Sequence, residues 1–123
     1  GSVWVQLSLS PVANEIWQNT TTTPFNLVQD NNYLANAVAR IFFVLPTTAV
    51  FGEEIKVGGV FGQGGWRIVQ NAGQSILVDN VSTTVGATGY IESVAETQVI
   101  QLVNIVPNLT WIATSVVGSV TIM

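Results

Sequence analysis

The chain has 123 residues, enough for one domain with a substantial core and too few for two. Only 8% of it is charged, three basic residues against seven acidic for a net charge of −4, whereas an average soluble domain carries roughly 25%. So few cations exclude a nucleic-acid backbone or an anionic membrane surface as partner, since both need clustered basic groups. With no Cys and no His, disulfides, thiolate chemistry, the Ser-His-Asp arrangement and the common zinc sites are excluded as well.

No cofactor is expected. The longest apolar run, Ile41 to Leu45, falls far short of the ~20 residues of a bilayer-spanning helix, so membrane insertion is not expected either. Gly1 and Ser2 read as the remnant of a cleaved tag, which points to a piece of a longer protein. Hydrophobic residues make up 48% of the chain, and its solubility must come from uncharged Ser, Thr, Asn and Gln. Such a surface offers little repulsion between molecules, and the single lysine, Lys56, leaves the usual guard of exposed sheet edges almost absent. Burial of that surface in an oligomer is expected.

The pattern is one of β-branched residues and alternation, with no 3.6-residue stripe of helical length, so the chain reads as all-β with about nine strands. Val3 to Leu9 is the first expected strand, ended by Ser10-Pro11. Asn14 to Asn32, with its Thr20 to Thr23 run before Pro24, reads as an extended arm suited to exchange between subunits. Together these make residues 1–40 an N-terminal strand plus arm, ahead of a β-rich unit at 41–123. Tyr33 to Val38 reads as a loop. Arg40 to Leu45 reads as a strand buried on both faces, and Glu54 to Val57 as one with a wet face and a dry one. Trp66 to Gln70 and Ser75 to Val78, joined by Asn71-Ala72-Gly73-Gln74, read as a hairpin. Further strands are expected at Gly89–Val94, Gln98–Ile105, Thr110–Ser115 and Ser119–Met123.

Gly59 to Gly65 has the glycine density of a phosphate-binding loop, but it runs into a strand where such loops need a helix N-terminus, and no Gly-Lys-Ser/Thr follows. These glycines turn the chain. Of the carboxylates, Glu53 and Glu54 would point to opposite faces, while Glu92 and Glu96 would share one. Surface solvation is the stronger reading of both pairs, because catalysis needs a perturbed environment. Asp79 and Asn80 read as turn residues rather than calcium ligands. Trp4, Trp17, Trp66, Trp111, Tyr33 and Tyr90 remain, each a core anchor in one reading and a contact residue in the other. An aromatic platform beside amide side chains suits a flat sugar face. The residues expected to form one are Trp66, Arg67, Asn71, Gln74 and Tyr90.

Leu45-Pro46, Ala49, Gly52 and Ile55, then Gly64-Gly65-Trp66-Arg67-Ile68 and Gln70-Asn71-Ala72-Gly73-Gln74, form the start of a distinctive pattern. It continues through Ile76, Thr83-Thr84, Gly86, Gly89, Ile91 and Ser93 to Leu102, Asn108, Trp111, Ser115 and Gly118. Over this stretch, about two-thirds of the chain, the sequence resembles a domain found near the C-termini of bacteriophage tail-fibre and related virion proteins. It departs from that pattern at Thr97, Gln98 and Asn104, where similar chains often carry an acid and a cysteine. The resemblance implies a homotrimeric fibre module on the virion that contacts a host surface glycan or protein, not an enzyme. The expected fold is an antiparallel β-sandwich or β-prism-like domain. A carbohydrate-binding β-domain of a cell-surface or secreted protein is the alternative.

Overall fold

Short runs of Ile, Val, Phe and Trp broken by polar residues and turns cannot bury their apolar faces singly; they pair into sheets and stack. The structure, a computed structural model, describes residues 16–123 and contains no helix among them. The expected strand at Val3 to Leu9 lies outside the described residues, as do Asn14 and Glu15.

Among the described residues, twelve strands form two sheets. The first seven alternate between them. Strands β1 (Trp17–Thr20), β3 (Asn31–Ala35), β5 (Glu54–Gly59) and β7 (Ser75–Val78) belong to the larger sheet, and β2 (Phe25–Asn26), β4 (Ile41–Val44) and β6 (Trp66–Val69) to the smaller. The remainder are β8 (Val81–Ser82), β9 (Tyr90–Ser93), β10 (Val99–Val106), β11 (Thr110–Val117) and β12 (Val120–Ile122). The seven-stranded sheet runs β1-β3-β5-β10-β11-β7-β8, and the five-stranded sheet β12-β9-β6-β4-β2.

This winding corrects the expectation of antiparallel sheets. A strand that returns to its sheet after a passage through the opposite one runs in the same direction as its predecessor. Hence β1, β3 and β5 pair in parallel, as do β2, β4 and β6, and β7 pairs in parallel with β11. Antiparallel pairing is confined to β5-β10, β10-β11, β7-β8, β6-β9 and β9-β12. The sheets are mixed, in a sandwich-like all-β fold.

Three local expectations are corrected as well. Trp66 to Val78 is not a hairpin: β6 and β7 lie in different sheets, and Gln70 to Gln74 carries the chain between them. Tyr33 lies in a strand rather than a loop, because Tyr33, with Phe25 and Phe43, supplies a ring cluster with centroids 5.4 to 6.2 Å apart. The β4 strand is buried on one face only, with Ile41 and Phe43 inside and Phe42 38% exposed. The described part of the segment read as an arm contributes β1, β2 and the start of β3, with β1 paired on β3 and β2 on β4. Among the described strands, two of the four at sheet edges, β2 and β8, are only two residues long. A very short edge strand offers little template for pairing and is a within-chain alternative to lysine guards.

The core lies between the sheets. Trp66, Trp111, Tyr33, Phe43, Ile55, Ile68, Ile91, Ile100 and Leu102 are among its fully buried side chains, each worth about 1.5–3 kcal/mol of burial. Glycine is required where backbone crowds backbone: a Cβ on Gly59 would overlap the carbonyl of Glu96.

Candidate functional site

The segment Gly64 to Gln74 divides its side chains by the period of the strand. Trp66 and Ile68 point inward and are fully buried; Arg67 and Val69 point outward and are half-buried. Trp66 therefore offers no stacking face to a ligand. Its indole N–H donates to the Gln98 carbonyl at 2.8 Å, and its backbone N–H to Ser93 Oγ at 3.0 Å. Gly65, at φ 79°, sets this up: the turn is left-handed, and a Cβ there would strike Ser93 Oγ.

Gln74 is likewise removed from the expected contact surface. It is buried in the crossing, where its Nε2 donates to the carbonyls of Pro46 (2.7 Å) and Asn108 (3.1 Å). Its Oε1 accepts from the Asn71 backbone N–H at 2.8 Å and from Asn71 Nδ2 at 3.1 Å. Buried Gln70 completes the brace by donating to the carbonyls of Gln74, Thr84 and Gly86 and accepting from Thr83 Oγ1. Burying two amides is costly unless they are satisfied, and here they replace the ladder bonds that a sheet-to-sheet crossing gives up. The feature that set this segment apart in the sequence is thus largely a folding device.

Arg67 and Tyr90 do meet, on the outer face of the five-stranded sheet. The register places Phe42, Arg67, Glu92 and Thr121 in one row across β4, β6, β9 and β12, and Val44, Val69 and Tyr90 in the next. The Arg67 guanidinium lies 3.9 Å from the centroid of the Tyr90 ring and 4.9 Å from that of Phe42. Its Nε donates to Glu92 Oε1 at 2.7 Å, and its Nη2 stands 2.6 Å from the same oxygen. Arg40 Nη1 lies 3.6 Å from that oxygen and also donates to the carbonyls of Trp66 and Ser93. Two rings and one carboxylate thus hold Arg67 in a single orientation.

Asn71 lies farther along the same chain, where its Nδ2 also donates to the Leu45 carbonyl at 2.8 Å. With Asn26, Val44, Leu45 and Thr47 it lines a cleft of about 290 Å³. Of the five expected contact residues, the structure therefore brings Arg67 and Tyr90 together, sets Asn71 at the rim, and buries Trp66 and Gln74. Sequence reasoning missed Phe42, because it sits inside an unbroken apolar run. It weighed Glu92 only as half of a carboxylate pair, although the alternation in Tyr90-Ile91-Glu92 already put Tyr90 and Glu92 on one face.

No protein-family model matches this chain, and no curated protein does.

Trp111, Tyr33, Glu53, Glu54 and Glu96 serve the fold. Trp111 is core, and the buried Tyr33 hydroxyl accepts from the Val28 backbone N–H at 3.0 Å, burial holding its phenol above the usual 10.0. Glu53 Oε1 accepts from the Val50 N–H at 2.6 Å, Glu54 from the Gln101 amide, and Glu96 from the Gly62 N–H at 3.2 Å.

Proposed function

We propose that this chain is a structural and attachment module of a viral tail fibre or comparable virion appendage, assembling as a homotrimer and contacting a host surface. The observation that carries the reading is the placement of exposed apolar side chains at both ends of the sandwich. At one end, Val38, Phe61 and Val94 are exposed, Val38 by 89% and Phe61 by 84%. Their loops are held together by Gln63 donating to Asn36, by the Gly64 N–H donating to the Ala37 carbonyl, and by Gly62 on Glu96. At the other end, Val50, Phe51, Val106 and Leu109 are exposed on loops joined through Asn108, whose N–H donates to the Ala49 carbonyl and whose Oδ1 accepts from the Ala49 N–H at 2.7 Å.

Apolar ends on fixed loops suit a unit that sits between neighbours, and a chain this poor in charge has little else to keep its copies apart. The resemblance of the Gly64 to Gln74 segment to virion appendage domains supports the same reading. A non-enzymatic role fits the carboxylates, which are occupied with backbone amides, Gln101 or arginine. Three copies would also turn modest single-site affinity for a host surface into avidity.

Light scattering after size exclusion over a range of concentrations tests the assembly. A concentration-independent trimer is expected. A monomer at every concentration overturns the reading.

A further inference from the structure

The charge of this molecule is unevenly placed. The chain carries a net −4 with only three cations, yet two of them, Arg40 and Arg67, converge on one carboxylate oxygen of Glu92. That cluster is locally positive by one charge. It lies on the outer face of the five-stranded sheet, where the Arg67 side chain is 27% exposed and that of Arg40 31%.

Arg67 is also oriented. Glu92 takes its Nε and Nη2 from one edge, and the Phe42 and Tyr90 rings fix the guanidinium plane. Nη1 and the second Nη2 hydrogen belong to the other edge of the fork, the geometry that matches a carboxylate. Val69 follows Arg67 on the same outer face of β6, and just past the end of that strand Asn71 lines the 290 Å³ cleft together with Val44, the residue paired with Val69. Asn71 uses its amide hydrogens on Leu45 and Gln74, so it brings a carbonyl oxygen, a hydroxyl acceptor, to that cleft; Asn26 brings a second amide.

We propose that this face binds a short acidic oligosaccharide, with the sugar carboxylate on the oriented edge of Arg67 and the hydroxyls of the next sugars at Asn71 and Asn26. A polyphosphate backbone is a poorer match, because two cations sharing one acid cannot neutralise a run of phosphates. The proposal rests on the attachment reading and names the ligand class it would use.

The test is titration of the whole chain with short oligogalacturonate and oligosialate, each beside its carboxyl-reduced form, followed by calorimetry and by NMR of the Arg67 side-chain N–H and the Asn71 amide. Binding of an acidic form, with shifts at both groups, is expected. Arg67→Gln should weaken it about tenfold or more, the loss of one charge-assisted fork, and Arg67→Lys should restore only part, since lysine keeps the charge without the fork. Equal binding of the carboxyl-reduced form, shifts elsewhere on the surface, or no binding to either acid overturns the proposal. The NMR on the unaltered chain decides even if the variants fold poorly. A trimer that ignores both acids would sink this site and leave the module reading standing; a monomer that binds them would do the reverse.

Discussion

The two faces of β6 are made from neighbouring residues and carry opposite chemistry. Inward, Trp66 and Ile68 are fully dry and lead into Gln70 and Gln74, whose amides brace the crossing between sheets. Outward, Arg67 and Val69 lie beside Tyr90 and Glu92 and remain partly wet. The difference separates what a distinctive sequence segment contributes to folding from what it leaves for recognition. A motif can be memorable because of its interior, while its one functional candidate is the residue between the memorable ones.

Substitutions on the two faces should therefore differ in kind. Trp66→Ala removes one of the two largest core side chains and the indole bond to Gln98, and should cost about 3–5 kcal/mol in chemical denaturation. Against a total of about 5–15 kcal/mol this is a large share of the stability. A loss below ~1 kcal/mol would break the assignment of this ring to the core. Gln70→Leu keeps the volume but strips partners from Thr83 and three carbonyls; a loss of about 1–3 kcal/mol is expected, and a neutral result would show that the brace is dispensable.

Tyr33→Phe sharpens the contrast through pH. Burial keeps the folded phenol above 10.0, whereas the unfolded chain ionises near ~10. Tyr33 thus leaves stability level below that pH and lowers it as the pH rises above, because only the unfolded state gives up the proton. Removing the hydroxyl should cost about 1 kcal/mol at neutral pH through the lost bond to Val28, and should flatten the alkaline fall in melting temperature. An unchanged alkaline limb would place the titration elsewhere. The smallest effect on folding is expected on the outer face: Arg67→Gln should alter stability by less than about 1 kcal/mol, as for a partly exposed ion pair. A large loss there would make Arg67 a structural residue like its neighbours.

Much of the strand content was legible. Glu54 to Val57 alternates charged and apolar residues, and β5 buries Ile55 and Val57 as that pattern requires. The expected strands around β9, β10, β11 and β12 lie within one or two residues of those found, since turn residues bracket each of them. The failures share a cause. The Asn71 to Gln74 connection has the length and glycine of a hairpin turn, and nothing local says whether the next strand folds back beside β6 or crosses to the other sheet. Tyr33 was lost because Leu-Ala-Asn-Ala has little β propensity of its own; contact with Phe25 and Phe43 imposes the strand.

The sequence by itself determined an all-β chain with few charges, no cysteine or histidine chemistry, and the alternation that sends Arg67 and Trp66 to opposite sides of one strand. Only the tertiary structure decided which side was buried, that the chain winds between two sheets to give parallel pairs, and that Arg40, Arg67 and Glu92, up to 52 positions apart in the numbering, share one surface. Periodicity is a property of neighbouring residues and is written along the chain. Pairing between distant strands depends on the burial and hydrogen bonding of all of them together, and no short segment contains that information.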